Sequence, residues 1–152
     1  NSSFQGGEIR NYNHVHIGIA VSLDDGLITP VVRNCEAKSI GQISVETRDL
    51  AARARERRLK PEEYTGATFT VSNMGMMDVE NFAAIINPPE GAILAMSSIT
   101  KTPVVVNDEI KIGHRMKVTI SCDHRVIDGS VGATFLMELK RGLEKPLGLL
   151  TK

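Results

Sequence analysis

Alternating hydrophobic and polar positions near the C-terminus predict a strand that leads directly into a helix. From residue 115 to 122, apolar and polar side chains alternate, which is the period of a strand with one buried face. The apolar positions of this strand are Met116, Val118, Ile120 and Cys122. Further on, apolar residues recur at every fourth position, as on one stripe of a helix, at Val131, Phe135, Leu139 and Leu143. Segment 121–129 is therefore expected to form a strand-to-helix turn.

Similar patterns predict the elements of the N-terminal half. Residues 1–7 carry no periodic signal and are expected to be poorly ordered, whereas residues 8–13 suggest a short strand. Segments 17–23 and 27–33 are expected to form a hairpin, with Pro30 at a sheet edge or a bulge because it cannot donate to a neighbouring strand.

A helix is predicted to follow this hairpin. Ser39 and Gln42 match a capping box at its start, and Pro61 disfavours helix beyond Leu59. The basic residues near its end point in several directions, which favours a solvated helix end over a phosphate site. These residues are Arg53, Arg55, Arg57, Arg58 and Lys60.

Segment 66–73 has the pattern of a strand with a row of hydroxyl groups on one face. Thr68, Thr70 and Ser72 point one way, and this face is expected to meet water or to line a polar channel. The pattern breaks at Met74, which places Ser72 at the strand end. Segment 92–99 is expected to be a mostly buried strand, and segments 104–106 and 110–112 to form another hairpin.

The C-terminal helix is expected to stop at Pro146, which leaves an apolar tail behind it. Apolar residues at a chain end are exposed unless they dock. The sequence leaves open whether this tail packs on its own chain or enters another subunit. Its apolar residues are Leu147, Leu149 and Leu150.

Length and charge bound the class of protein. A chain of 152 residues with 41% hydrophobic content is long enough for one packed domain. Eighteen basic and eighteen acidic residues cancel, so charge gives no reason to expect a nucleic acid or an anionic membrane as a partner. Since no apolar run approaches the roughly 20 residues of a membrane span, a soluble protein is expected.

Cysteine usage favours a reducing compartment and gives no strong metal motif. Cys35 and Cys122 are too few for a disulfide framework. Cys122, His124 and His114 could be imagined around zinc, but two possible ligands two positions apart, without a second pair, form a weak pattern. We therefore expect no metal.

His124 is the residue most suited to proton transfer. An imidazole is mostly a free base at neutral pH, and the end of a strand can present it to a cleft. Alone, however, such a residue is more often an ordinary loop histidine. Asp128 suits a helix N-cap, because its carboxylate can accept a backbone hydrogen bond at the positive end of the helix dipole. A capping role and a catalytic role for Asp128 are compatible.

The run Asp-His-Arg-Val-Ile-Asp-Gly at 123–129 resembles the His-x-x-x-Asp-Gly signature of the chloramphenicol acetyltransferase-like superfamily, in the version found in dihydrolipoamide acyltransferases of 2-oxo acid dehydrogenase complexes. Three other stretches look like the same catalytic domain, in the same order. They are residues 17–32, residues 66–76 with 85–89, and the tail at 146–150. The resemblance extends from about Tyr12 to Leu150.

This resemblance implies an α/β fold, an α+β two-layer sandwich with a mixed sheet flanked by helices. Residues 1–152 would be the C-terminal portion of the catalytic domain, as a single domain, with the N-terminal part of the fold missing. The family has in that missing part an arginine that would pair with Asp128.

By the same resemblance, the chain transfers an acetyl group between dihydrolipoamide and coenzyme A. His124 would be the general base, Ser72 the donor to the oxyanion, and Asp128 an orienting residue. Segments 73–76 and 81–87 look most like the acetyl-transferring members of pyruvate dehydrogenase complexes. The alternatives are a non-catalytic structural core subunit, or an acyltransferase for another group such as succinyl or branched-chain acyl.

The partners implied are further copies and further subunits. The family forms homotrimers that build a cubic or icosahedral core, with His124 and Ser72 of one site supplied by neighbouring subunits. Coenzyme A and lipoamide are the substrates, and the lipoyl group is carried on a domain outside this chain. The other enzymes of the complex would bind through domains also outside it. The implied location is the bacterial cytoplasm or the mitochondrial matrix.

Overall fold

Eleven strands and three α-helices make up the part of the chain that the computed structural model describes, which is the backbone of residues 1–150 and the side chains of residues 1–149. The strands are β1 (Ser2–Gln5), β2 (Glu8–Asn11), β3 (Ile17–Ile19), β4 (Val21–Leu23), β5 (Gly26–Ile28), β6 (Val31–Val32), β7 (Phe69–Asn73), β8 (Ala92–Met96), β9 (Thr100–Val106), β10 (Glu109–Arg115) and β11 (Val118–Cys122). The helices are α1 (Ile40–Arg55), α2 (Gly129–Glu144) and α3 (Leu147–Leu150), with 3-10 turns at Cys35–Ala37 and Pro61–Glu63.

A five-stranded mixed sheet in the order β11-β8-β7-β3-β6 forms the centre of the fold. Strands β3, β7 and β8 are parallel, whereas the edge strands β11 and β6 are antiparallel to their neighbours. Residues 92–95 of β8 are each at most 5% exposed, so this strand is the core of the sheet. Helix α1 packs near β4 and β6, and α2 packs on β11. The predicted α/β fold with a mixed sheet flanked by helices is confirmed.

The predicted hairpin at 17–33 is broken into two pieces. β3 pairs with β6 inside the central sheet, whereas β4 pairs with β5 as a separate two-stranded ribbon. Pro30 lies at the break, immediately before edge strand β6, as its missing N–H predicts. Its carbonyl oxygen still accepts a hydrogen bond from the N–H of Ile19 at 2.8 Å.

The expectation of a poorly ordered start is wrong. β1 pairs with β2 as an antiparallel hairpin, and Ser3 is completely buried. The hydroxyl groups of Ser3 and Tyr12 are hydrogen-bonded at 2.7 Å. An antiparallel bridge also joins Ser3 to Glu90. This order depends on a segment more than 80 positions away, which no local pattern could reveal.

Helix α1 begins as predicted and ends earlier than predicted. Ser39 Oγ accepts from the N–H of Gln42 at 3.2 Å, and Gln42 Oε1 accepts from the N–H of Ser39 at 2.8 Å, which forms the capping box. The helix ends at Arg55 because Arg57 adopts a left-handed backbone conformation, with φ of 57°. Ion pairs join Arg53 to Glu63 and Arg57 to Asp25 at this end.

Helix α2 packs on the sheet in part through the predicted stripe, since the centre of the Phe135 ring lies 5.6 Å from that of Phe69 on β7. The closest approach is at Gly132, where an added Cβ would lie 3.5 Å from the Cys122 sulfur. The two ends of the stripe are less covered, and Val131 and Leu143 remain 54% and 50% exposed. A groove of about 460 Å³ between α2 and the β10–β11 region is lined mainly by apolar side chains from both.

Among the described helices, none is both long enough and apolar enough to span a bilayer.

The C-terminal tail forms the short helix α3, which makes a contact within its own chain. A methyl group of Leu149 lies 3.7 Å from where a Cβ on Gly142 of α2 would stand. Leu147 is 78% exposed, so the tail also leaves apolar surface uncovered. The side chain of Leu150 is outside the described part.

Candidate active site

His124 lies on the turn between β11 and α2, and its side chain is exposed. The carbonyl oxygen of Asp123 accepts hydrogen bonds from the N–H groups of Val126 and Ile127, both at 2.9 Å. The N–H of Asp123 donates to the carbonyl oxygen of Gly91 at 2.8 Å. The turn that presents the imidazole is therefore tied to the sheet. No described residue hydrogen-bonds to the imidazole, which leaves it open to a ligand.

Asp128 is the N-cap of α2. Its Oδ1 accepts from the N–H of Val131 at 2.9 Å and from the hydroxyl of Ser130 at 2.7 Å. These two hydrogen bonds, the one from Val131 first, lower the pKa of the carboxyl group. The capping role predicted for Asp128 is thus present. It makes α2 begin directly after Asp128, four residues beyond the histidine.

Asp123 and Arg125 form an ion pair that spans His124. Arg125 donates from Nε to Asp123 Oδ1 at 3.0 Å and from Nη2 to Oδ2 at 2.7 Å. The backbone N–H of Arg125 also donates to Asp123 Oδ1 at 3.0 Å. The Arg125 guanidinium lowers the pKa of Asp123 to about 2, so the carboxylate stays ionised near neutral pH. The residues before and after the histidine are consequently clamped to each other.

Ser72 lies near the C-terminal end of β7, as predicted, and is half-buried. Within the described part of the chain, its hydroxyl group makes no hydrogen bond. The other hydroxyls of this face do not meet water or line a channel, because Thr68 and Thr70 are 5% and 1% exposed. The Thr68 hydroxyl bonds to the backbone of His16. Ser72 is therefore the accessible hydroxyl of the three.

One chain does not bring Ser72 and His124 together. Ser72 pairs with Ala95 of β8, whereas Cys122, the last residue of β11, pairs with Ala92. Because β11 is antiparallel to β8, the chain beyond Cys122 moves further away from Ala95. Three strand residues span about 10 Å, so the backbone positions of Ser72 and His124 are more than about 10 Å apart. They lie toward opposite ends of the sheet.

Glu90 is a buried carboxyl group that the sequence did not reveal, because a glutamate in a Pro-Pro-Glu-Gly turn is normally exposed. It is 5% exposed, and its Oε1 accepts from Asn87 Nδ2 at 3.3 Å. Thr70 faces it closely enough to oppose the rise in its pKa, although no hydrogen bond of regular geometry from a described residue reaches Thr70 Oγ1 or Glu90 Oε2. Burial raises the pKa of Glu90, because desolvation makes the ionised carboxylate less favourable in the folded chain than in the unfolded one.

Glu90→Gln should stabilise the protein at pH 8. The unfolded chain ionises this carboxyl group at its ordinary pKa, so the stability of the natural protein falls as pH rises above that value and levels off above the raised pKa. Glutamine is not ionised and can donate to Thr70, which is worth about 1 kcal/mol and raises Tm by roughly 2–4 °C. Thermal unfolding from pH 4 to pH 8 measures the difference, which should vanish near pH 4.

Glu62→Gln is the matched control for this prediction. Glu62 is exposed in the 3-10 turn Pro61–Glu63, so removing its charge should change Tm little at any pH. A lower Tm for Glu90→Gln than for the natural protein at pH 8 would contradict the raised pKa of Glu90.

A cavity of about 350 Å³ lies beside the histidine turn. It is lined by Asp123 and Arg125, by Phe4 and by the cis Pro88-Pro89 segment. Both cysteines are free. In the described part of the chain, no group of three His, Cys, Asp or Glu side chains is arranged to hold a metal.

Comparison with protein families gives one match over nearly the whole chain. The family described as 2-oxoacid dehydrogenases acyltransferase (catalytic domain) matches residues 1–151. The dihydrolipoyllysine-residue acetyltransferase component of pyruvate dehydrogenase complex from Rickettsia bellii is 47% identical over 150 residues, which are 99% of this chain and 36% of that protein. The chain thus spans about a third of the length of the curated relatives that it matches.

Two solved structures have the same fold. A dihydrolipoamide acetyltransferase from Azotobacter vinelandii has a TM-score of 0.94 and 37% identity, over 99% of this chain and 63% of that one. The cubic core of a pyruvate dehydrogenase multienzyme complex has a TM-score of 0.93 and 36% identity, with the same coverage.

The Azotobacter structure was solved to examine one serine, one histidine and one asparagine in the catalytic mechanism of that enzyme. Its histidine follows its serine by 52 positions, and its asparagine follows the histidine by 4. Ser72, His124 and Asp128 have the same two separations in this chain. The third position differs, because an aspartate stands here instead of an asparagine.

Proposed function

Since the chain belongs to the family of 2-oxoacid dehydrogenase acyltransferases, we propose that it is the C-terminal portion of a catalytic domain that transfers an acetyl group between dihydrolipoamide and coenzyme A. The observation that carries the proposal is the matched separation of Ser72, His124 and Asp128. The open imidazole of His124 and the unpaired hydroxyl of Ser72 are the two groups that such a reaction needs.

The first step needs a base, which is the role we assign to His124. A thiol with a pKa near 8.5 is mostly un-ionised at neutral pH, whereas the thiolate is the nucleophile. His124 takes the proton from the thiol of coenzyme A as its sulfur attacks the thioester carbonyl of acetyl-dihydrolipoamide. When the intermediate collapses, the departing dihydrolipoamide sulfur receives that proton from the imidazolium.

The intermediate needs a donor for its oxyanion, which is the role we assign to Ser72. The attack moves negative charge onto the former carbonyl oxygen, and a prepositioned hydroxyl group stabilises that charge more than it stabilises the neutral thioester. Asp128 then acts by capping α2, which holds the turn that carries His124. We treat it as an orienting residue and not as part of a proton relay.

The site is proposed to form between two copies of the chain. Ser72 and His124 lie toward opposite ends of the sheet in one copy, so a shared pocket requires the serine of one subunit and the histidine of its neighbour. A homotrimer closes this relationship with three equivalent sites. The likeness of this chain to the subunit of a cubic core supports assembly of such trimers into a larger core. Other subunits of the complex, and a lipoyl domain outside this chain, would complete the system in the bacterial cytoplasm or the mitochondrial matrix.

Mixed assemblies test this arrangement. His124→Ala and Ser72→Ala subunits of the full-length protein should each have little activity alone. When the two are co-assembled in equal amounts, about one quarter of the sites would combine a natural histidine with a natural serine from a neighbour. Acetyl transfer to dihydrolipoamide from acetyl-CoA should therefore recover to about a quarter of the natural rate.

The control uses the double variant His124→Ala/Ser72→Ala mixed equally with the natural subunit. A site shared by two subunits predicts about one quarter of the natural activity, whereas a site within one chain predicts about one half. Light scattering must show intact assemblies in both mixtures. If mixing the single variants restores nothing, the shared site is refuted.

A further inference from the structure

The N-terminal hairpin is connected to the histidine turn through Gly91. The N–H of Gly91 donates to the carbonyl oxygen of Ser2 in β1 at 2.9 Å, and its own carbonyl oxygen accepts from the N–H of Asp123 at 2.8 Å. A Cβ at Gly91 would lie 2.5 Å from that Ser2 oxygen, so a larger residue at position 91 would push its backbone away from β1. Strand β1 and the residue before His124 are thus one glycine apart.

Side chains make a second connection between the same two segments. The guanidinium carbon of Arg125 lies 4.4 Å from the centre of the half-buried Phe4 ring. The same guanidinium donates three hydrogen bonds to the carboxylate of Asp123, two from Nε and one from Nη2. An aromatic face attracts a cation, so Phe4 holds Arg125 in the orientation in which it grips Asp123. We call these three side chains the brace.

We propose that Phe4 and Arg125 are positioning residues for His124, because the brace holds the backbone on both sides of the imidazole. This inference rests on the proposed role of His124 as the base. Exposed ion pairs and cation–π contacts contribute little to global stability, so the effect of the brace is expected in catalysis and not in folding. A misplacement of about 1 Å near the reacting atoms can cost up to about 100-fold in rate.

Conservative substitutions in the full-length assembly separate positioning from packing. Phe4→Leu keeps an apolar side chain and removes the aromatic face, whereas Arg125→Lys keeps the charge and loses the forked grip on Asp123. Each should lower kcat for acetyl transfer about tenfold and change KM for coenzyme A less than about twofold. Phe4→Tyr keeps the aromatic face and should stay within about twofold of the natural kcat.

The double variant Phe4→Leu/Arg125→Lys tests whether the two residues act as a unit. Its kcat should equal that of either single variant, because the brace is already lost in each. Losses that multiply would mean independent roles and would overturn the proposal. Arg48→Lys is the matched control, since Arg48 is an exposed arginine of α1 whose guanidinium donates to the Ser44 hydroxyl, and it should leave kcat unchanged.

Hydrogen exchange gives a readout that does not depend on activity. Amides of segment 121–128 should exchange severalfold faster in Phe4→Leu and Arg125→Lys, and at the natural rate in Phe4→Tyr and Arg48→Lys. If the natural protein transfers acetyl groups and the two brace variants keep its kcat, the positioning role is refuted. If the natural protein shows no transfer, the proposed function fails, and the exchange rates alone decide whether the brace holds the turn.

Discussion

Replacing His124 with alanine should lower kcat for acetyl transfer by about 1,000-fold, the size of a typical general-base contribution. The thiol of coenzyme A would then have to lose its proton to water, whose basicity is far lower than that of an imidazole. Binding of coenzyme A should change little, since the imidazole acts on one proton and is not the main contact for the rest of the molecule. Steady-state assays with acetyl-CoA and dihydrolipoamide, together with equilibrium binding of coenzyme A, measure both effects.

His114→Ala is the matched control for this prediction. His114 is also an exposed histidine near the end of a strand, β10, and it is not part of the proposed site. It should retain the natural kcat. A His124→Ala variant that assembles and keeps normal turnover would remove the assignment of the base.

Ser72→Ala should lower kcat by about 100-fold, equivalent to about 2.7 kcal/mol of transition-state stabilisation. The defect is smaller than that of His124→Ala because the thiolate can still form and attack. It should appear in kcat more than in KM, because the hydrogen bond strengthens as charge develops on the oxygen. Folding should be little affected, since this hydroxyl has no hydrogen-bond partner in the described chain.

Ser22→Ala in β4 serves as the comparison for Ser72→Ala. Ser22 is an exposed strand serine outside the proposed site, and its replacement should leave kcat unchanged. Natural turnover in Ser72→Ala would exclude the oxyanion role even if His124→Ala behaved as expected.

Local patterns predicted the elements whose causes are local. The capping box at Ser39, the alternation that forms β11 and the cap at Asp128 each involve residues within a few positions of one another. The same is true of Pro30, whose missing N–H was enough to place it beside an edge strand. Hydrogen bonds and side-chain periodicity over such distances are determined before the rest of the chain is known.

Predictions failed where distant segments determine the outcome. Residues 1–7 lack periodicity, and Ser3 is nevertheless buried because β1 packs on Glu90 and Gly91. The hydroxyl face of β7 was expected to meet water or to line a polar channel, and Thr70 is instead buried opposite the same glutamate. The fourfold spacing in α2 did not include Gly132, whose small size allows the helix to approach β11 closely. Each failure is a tertiary contact that overrides a local preference.

The candidate site divides in the same way. The motif around His124 and the position of Ser72 at a strand end suggested its chemistry from the sequence. The spacing shared with a solved acetyltransferase supports the proposed roles of both residues. The brace was not predictable, because Phe4 and Arg125 are 121 positions apart and neither belongs to a recognisable pattern with the other.

The amino-acid sequence by itself determined the strands and helices with local signals and the family resemblance, and it supplied His124, Ser72 and Asp128 as the proposed site residues. The tertiary structure alone decided that the chain start is ordered, that Glu90 is buried, that Phe4 reaches Arg125, and that Ser72 and His124 lie toward opposite ends of one sheet. The physical reason is range. Periodicity and capping act over a few residues, whereas strand order and burial depend on which distant segments pack together.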